Sequence, residues 1–453
     1  MGKRIIICCD GTWNEPEGKK EGRQVPTNVL KLVRAIEPRD SESGIDQVVY
    51  YGRGVGAGTI GFVDKYAGGG TGLGISRNIQ DAYRFLANNY AENDEIFCFG
   101  FSRGAYTARC LSGMLDAAGL LDKSDMDRLP DAYGYYRTPP EQREASKYNL
   151  RLRDLPRTRP KIKFMGVWDT VGALGAPTPL LGKISKKFWV GFHNAALSGL
   201  IENAYQALAV DERRGPFVPA IWDKRTGQKN LQQVWFAGVH SNIGGGYPDS
   251  GLSDVAFLWM INRAMEHGLV FDSRYLADRS KVAPQVTGQL EDSFSLGYRM
   301  LQALRVPPCI RSIGQNMAMG EMVHESVLRR LLTPHLNYRP ENILGEVKDP
   351  ATLISNEGPR QSIRIDELPL AVFCERKGVR RDFGETPATL TLEGNVELAC
   401  QVSNHSDGGG VMLSVPQPLE PGTEGMLEYG QLGRHKIRVV WRRENRVGVA
   451  FAA

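Results

Sequence analysis

The chain has 453 residues, 42% hydrophobic and 24% charged, a globular composition with room for two or three domains and at least one large core. Its net charge of +5 is small for that length and no run of five or six basic residues occurs, which argues against a nucleic-acid partner. The seven cysteines are odd in number, scattered and mostly set in apolar runs, so they read as reduced core residues and not as a disulfide framework or metal cage.

At the N-terminus only Ile5 to Cys9 stand between Arg4 and Asp10, too short an apolar stretch for a signal peptide. Position 6 is Ile where a myristoylation signal needs Ser or Thr, and nowhere do about 18 apolar residues run together. A cytoplasmic protein without a transmembrane segment is expected.

The first predicted strand is RIIICC (4–9), left through the tight turn DGT. A strand followed by D-x-D-G-T would mark an aspartate-based phosphatase, but the nucleophile position here is Cys8. A second strand, QVVYYG (47–52), runs into the glycine-rich stretches YGRGVGAG (51–58) and AGGGTGLG (67–74). Neither has the spacing of a phosphate-cradling loop, so they read as loops around a site.

ISRNIQDAYRFLANNY (75–90) has helical spacing, EIFCFG (95–100) is a strand, and SRGAYTARCLSGMLDAAGLL (102–121) is again helical. KFMGVWD (163–169) and QVWFAG (233–238) complete a set of short, apolar, β-branched strands alternating with helices, the pattern of a parallel sheet covered on both faces. From about 250 to 345 the pattern is helical with no obvious strand, which predicts a cap or flanking layer. Residues 346–372, interrupted by Pro350, Pro359 and Pro369, read as a linker. Six short alternating strands between 373 and 453 predict a small antiparallel barrel. The expected fold class is therefore α/β, an α/β-hydrolase-like, mostly parallel sheet with flanking helices over 1–345, plus the C-terminal barrel.

The sharpest local pattern is GFSRG, Gly100 to Gly104, placed between a strand and a helix. That is the setting of a nucleophile elbow, where Ser102 would be held in a strained turn that requires small neighbours such as Gly100 and Gly104. Activating a serine takes a histidine base and an acid that orients it, in the chain order Ser, acid, His. His240 ends an apolar strand and opens HSNIGGGY, and Asp169 closes KFMGVWD. Both stand at strand carboxyl ends, where open α/β sheets bind ligands. Asp254 is the alternative acid, although it also reads as a helix N-terminal residue. His324 is the reserve base, although VHESVLRR reads as a helix start. The oxyanion hole is expected from the backbone N–H of Arg103 and of Gly11 or Thr12, with Asp10 orienting that loop as in an Asx turn. No metal site is expected.

IIICCDGTWN, YYGRGVG, NIQDAYRFLANNY, FCFGFSRGAYTARCLSGML, MGVWDTVGALG, WFAGVHSNIGGGY and LSDVAFLWM together resemble the family of uncharacterised α/β-hydrolase domains that includes type VI secretion phospholipase effectors. The resemblance covers residues 1–345. It implies a triad of Ser102, Asp169 and His240 and an ester or phospholipid substrate, the latter bringing peripheral contact with a membrane surface. One departure is Asn242, where the family pattern HxDxGGGY has Asp.

In the last segment ERKGVR and NHSDGG fit R-x-x-x-R and N-x-S-x-x-G. With VVWRRENRVGVAF they resemble a PilZ domain over residues 373–453. That resemblance implies cyclic di-GMP as a regulatory ligand, held by Arg376, Arg380 or Arg381 and by Asn404, Ser406 and Gly409; forked guanidinium groups suit its phosphates and guanine edges. The expectation is a serine esterase or lipase, phospholipase among the choices, controlled by this nucleotide. A catalytically idle fold serving as a cyclic di-GMP-responsive adaptor and a secreted phospholipase toxin are the competing functions.

Overall fold

The computed structural model describes residues 2–11, 19–20, 22–54, 72–171, 196–222, 224–225, 230–293, 309–314, 319–331, 333, 336–344, 354–355, 362–363, 372–373, 380–381, 386–392, 396–406, 410–417, 419–429, 434–443 and 446–451. The chain divides into two compact units, Met1–Phe373 and Cys374–Ala453.

The first unit is built on eight strands: β1 (Arg4–Cys9), β2 (Gln47–Gly52), β3 (Glu95–Phe101), β4 (Ile162–Trp168), β5 (Asn203–Ala209), β6 (Asn230–Phe236), β7 (Glu321–His324) and β8 (Val372–Phe373). They lie in the spatial order β2-β1-β3-β4-β5-β6-β7-β8, and every pairing in this sheet is parallel. The helices that matter for the site are α1 (Asn28–Ala35), α2 (Gly72–Asn89), α3 (Arg103–Ala118), α4 (His240–Gly244) and α5 (Gly251–Glu266).

Burial on both faces explains why these strands are continuous apolar runs. Along β1 the side chains alternate, Ile5, Ile7 and Cys9 entering one core with α2 and α3, Ile6 and Cys8 entering the other with α1 and α5. Successive strand side chains point to opposite faces, so a sheet covered twice needs apolar residues at every position. Five of the six described cysteines are buried and all six are free. Burial pushes the Cys9 thiol up to about 12, which makes it a core group and no nucleophile.

Three elements depart from expectation. β5 carries Ala, Gln and Asn among its apolar residues, which hides the β pattern. EMVH is strand β7, so His324 ends a strand and the helix begins at Glu325; the 250–345 region is therefore not wholly helical. Val372 and Phe373, at the boundary of the expected linker, pair with Val323 and His324 and extend the sheet by a strand. Two apolar residues are enough for this because they add to an existing edge.

In the second unit β9 (Arg380–Arg381), β10 (Thr386–Leu392), β11 (Val396–Ser406), β12 (Gly410–Ser414), β13 (Glu424–Tyr429), β14 (Arg434–Arg443) and β15 (Arg446–Phe451) are all antiparallel. β10 to β15 close a ring in the order β11-β10-β13-β14-β15-β12, returning to β11, and β9 adds to β11. Leu390, Val402, Leu413, Leu427, Ile437 and Val447 fill the interior. Closure leaves few free edges.

Candidate active site

The strand order reverses at β1. The chain passes from β1 outward to β2, then returns across β1 to β3 and runs on in the other direction. The carboxyl ends of β1 and β3 therefore border the crevice where an open parallel sheet accepts a ligand. Asp10 and Gly11 leave β1 there and Ser102 leaves β3 there.

Ser102 sits between strand and helix at φ 57° and ψ −122°, and its hydroxyl does not cap the helix behind it. A side chain held at positive φ is strained, and such strain concentrates at functional sites. Small neighbours make the bend possible. A Cβ on Gly100 would lie 2.6 Å from Ala105 Cα, and one on Gly104 would lie 2.1 Å from the Cys9 carbonyl oxygen.

His240 Nε2 stands 2.8 Å from Ser102 Oγ, and His240 Nδ1 stands 2.5 Å from Asp169 Oδ2. All three residues are buried, Asp169 completely. Asp169 is a second strained position, at φ 39°, just beyond the end of β4. Two rings pack against the imidazole, Phe101 at 4.7 Å and Phe217 at 4.9 Å between centroids. It is thus held at both nitrogens and packed by two aromatic side chains.

Arg311 is the residue that sequence reasoning missed. It donates from Nη1 to Asp169 Oδ1 at 2.6 Å and from Nη2 to Oδ2 at 2.9 Å, and also to the carbonyls of Ala209 and Phe217. The Ala209 N–H completes the acceptor set of Asp169 at 3.0 Å. Burial alone would push the Asp169 carboxyl up. The Arg311 guanidinium and the His240 hydrogen bond outweigh it and hold this group well below the usual carboxylate range. Nothing in CIRSIG marks Arg311, because a lone arginine between Ile310 and Ser312 reads as a surface charge. Glu212 and Arg214 were missed as well. Glu212 accepts the His240 backbone N–H at 3.2 Å and is forked by Arg214 at 2.9 and 2.8 Å, while Arg214 lies 3.7 Å over the Phe217 ring.

The other candidates fall elsewhere. Asp254 pairs with Lys31 at 2.5 Å and accepts from Ser250 and the Ala283 N–H, so its carboxylate serves an interhelical contact and not the imidazole. His324 Nδ1 bonds Ser326, and its ring stacks on Phe236; burial, with Arg329 nearby, pulls it down to about 3. It is a neutral core histidine.

Arg103 opens α3, so its N–H points off the helix N-terminus beside Ser102. The Gly11 N–H is donated to Asp10 Oδ1 at 2.6 Å, so the oxyanion donor expected there is engaged within its own turn. A carboxylate one residue away is the nearer acceptor. Thr12 lies outside the described residues. Asp10 also accepts from Thr27 and Tyr51 at 2.7 Å each, which ties the β1 turn to α1 and β2. Asn242 Oδ1 accepts the N–H groups of Val239 and Glu291, both at 3.3 Å.

Of the nucleotide residues, Arg376 and Gly409 lie outside the described residues. Backbone pairing sets Arg380 opposite Ser406 and Arg381 opposite His405, one residue from Asn404.

Residues 3–263 match the family described as T6SS, phospholipase effector Tle1-like, catalytic domain. The chain belongs to the Tle1-like family. Ser102, Asp169 and His240 all lie within the Tle1-like match, whereas Arg311 and the second unit lie beyond it. An uncharacterized protein of Saccharomyces cerevisiae is 29% identical over 243 residues, 48% of this chain and 32% of its own length. Among solved structures, an uncharacterized protein from Pseudomonas aeruginosa aligns at 17% identity and TM-score 0.38, over 63% of this chain and 49% of that one. The Tle1 effector bound to the VgrG spike of the type 6 secretion system aligns at 19% and 0.35, over 55% and 52%. The Tle1-like chain thus spans about a third of the yeast relative and about half of each solved chain. Among its described residues, no helix is long and apolar enough to cross a membrane.

Proposed function

We propose that the first unit is a serine hydrolase of the lipase or phospholipase type. The observation that carries this reading is the continuous hydrogen-bond chain from Ser102 Oγ through His240 to Asp169, set at the carboxyl edge of a parallel sheet. Ser102 Oγ attacks the ester carbonyl as His240 Nε2 takes its proton. Asp169 holds the ring in the tautomer that presents Nε2 and stabilises the imidazolium. The Arg103 N–H faces the developing oxyanion. The alcohol leaves with the proton from His240, and water resolves the acyl-serine by the same steps reversed.

Membership of a phospholipase effector family favours a phospholipid ester, and hence peripheral contact with a membrane surface. The test is Ser102→Ala on a short p-nitrophenyl ester and on phosphatidylethanolamine vesicles, with a loss of about 10⁴-fold or more expected. Unchanged turnover would exclude the serine mechanism and leave the adaptor role.

The second unit is proposed to bind cyclic di-GMP and so regulate the first. The pairing of β9 with the end of β11 supports this, because it brings the Arg380–Arg381 backbone alongside the Asn404–Ser406 segment. Calorimetric titration of the full chain, repeated on Arg380→Ala, tests it: binding that the variant loses supports it, and absence of heat from the unaltered chain removes it. The family's description as type VI secretion effectors favours a second reading, an exported toxin. Recovery of the protein outside cells with an intact secretion apparatus, and only then, would favour export over a cytoplasmic regulated enzyme.

A further inference from the structure

We propose that Arg311 is a positioning residue of the Ser102–His240–Asp169 chain and sets the lower pH limit of the hydrolase, an inference that rests on the serine-hydrolase reading above.

Among the described residues two carboxylates bond His240, and each is forked by an arginine. Asp169, just beyond the end of β4, holds Nδ1 and is met by Arg311. Glu212, in the loop after β5, holds the backbone N–H and is met by Arg214. From the end of β3 and the turn after it come uncharged groups, the Phe101 ring and the Ser102 hydroxyl. From the His240 segment itself, Asn242 is neutral and Tyr247 is a phenol that burial pushes up. Among the described residues, the two carboxylates bonded to His240 and the two guanidiniums that fork them therefore cancel in pairs before the ring takes a proton.

That balance decides when the base is lost. An imidazole beside one unbalanced, desolvated carboxylate takes up a proton readily, because the ion pair formed is attractive at low effective dielectric. Arg311 already supplies that attraction to Asp169, so a second cation on the ring gains less. Its side chain is only 2% exposed, which keeps solvent from screening the effect. Removing the guanidinium leaves Asp169 buried with one counter-charge fewer. The Asp169–His240 pair then takes up a proton at higher pH, and whether it settles on ring or carboxyl, Ser102 loses its base.

Geometry gives Arg311 its second role. The same fork ties Asp169 Oδ1 and Oδ2 to the carbonyls of Ala209 and Phe217. The Phe217 ring packs against His240 at a steep angle, so one side chain fixes both the carboxylate and the loop that packs on the imidazole. A lysine can keep the charge but not the fork.

The experiment is the pH dependence of kcat/KM for p-nitrophenyl butyrate in the full-length protein, in Arg311→Gln and in Arg311→Lys, with thermal melting of each. For Arg311→Gln the acid limb should move up by about one to two pH units, and kcat at pH 8 should fall about tenfold with KM little changed. For Arg311→Lys the limb should stay within about half a pH unit of the unaltered protein while kcat falls, since the charge remains and the planar fork is lost. An unmoved limb in Arg311→Gln, or a limb moved as far in Arg311→Lys, overturns the proposal. If Arg311→Gln does not fold, the Arg311→Lys profile decides by the same criterion. Full turnover in Ser102→Ala would instead defeat the serine reading, an outcome read from a different variant.

Discussion

Gly104 meets Cys9 backbone to backbone: a Cβ at residue 104 would lie 2.1 Å from the Cys9 carbonyl oxygen and 2.4 Å from that of Asp10. The helix behind Ser102 therefore rests directly on the end of β1, and this contact helps set where the Ser102 bend sits. Gly104→Ala should displace α3 and lower esterase activity by at least about 100-fold, since misplacement of a reacting group by an ångström costs that much. Gly113→Ala is the control, on the same helix. The nearest atoms to its Cβ would be those of the Tyr136 side chain, at 3.2 Å and beyond, and a side chain can give by a few tenths of an ångström where backbone cannot, so activity and melting temperature should stay close to those of the unaltered protein. Equal damage from both substitutions would refute this account of the elbow.

Asp169 accepts four hydrogen bonds, from His240, from both Arg311 nitrogens and from the Ala209 N–H. An amide in its place keeps the shape but cannot hold the imidazole in the productive tautomer. Asp169→Asn should lower kcat by about 10³ to 10⁴-fold with KM little changed. Activity within a few-fold of the unaltered protein would show that another acid orients the ring.

Much of this site is legible in the residues, and the reason is local. GFSRG needs its glycines because the turn forces backbones together; Asp169 follows the apolar strand β4 directly and His240 opens the short helix four residues after β6, so the apolar runs point to both. Arg311 is illegible for the opposite reason. It reaches Asp169 across 142 positions of chain from a segment with no helical or strand repeat, and only tertiary packing turns a lone arginine into a buried clamp. β5 hides behind Gln206 and Asn203, whose amides are bonded to Thr170, Lys163 and their neighbours. β7 hides because four residues followed at once by a helix carry too little pattern to separate the two.

Asp10 should leave a mark on stability. Burial, partly offset by hydrogen bonds from Tyr51, Thr27 and Gly11, raises its carboxyl to about 6, against about 3.9 in an unfolded chain. A carboxyl raised on folding favours the native state while protonated, so its contribution is present below about pH 4 and lost as the pH rises through about 6. Relative to the unaltered protein, Asp10→Asn should therefore gain about 2 to 3 kcal/mol of stability between pH 4 and pH 7. Urea unfolding of both proteins at several pH values reads this difference, and other carboxylates cancel in it. Parallel stability curves would mean that the buried group does not titrate as described.

Lys31 and Asp254 distinguish a structural acid from the acid proposed to orient His240. Lys31 on α1 and Asp254 in the first turn of α5 meet at 2.5 Å, with side chains 3% and 0% exposed. Removing one member of such a pair leaves a desolvated charge, so Lys31→Met should destabilise the protein by about 3 to 5 kcal/mol. Adding Asp254→Asn removes that charge while leaving an acceptor for Ser250 Oγ and the Ala283 N–H, which now bond the carboxylate at 2.7 and 2.9 Å. The double variant should recover most of the loss, because a buried ion pair contributes little net over a neutral pair of similar size. Its kcat should stay within about threefold of the unaltered protein, because a positioning acid acts only through contact with the imidazole. A folded double variant with kcat reduced a thousandfold would make Asp254, and not Asp169, the acid behind His240.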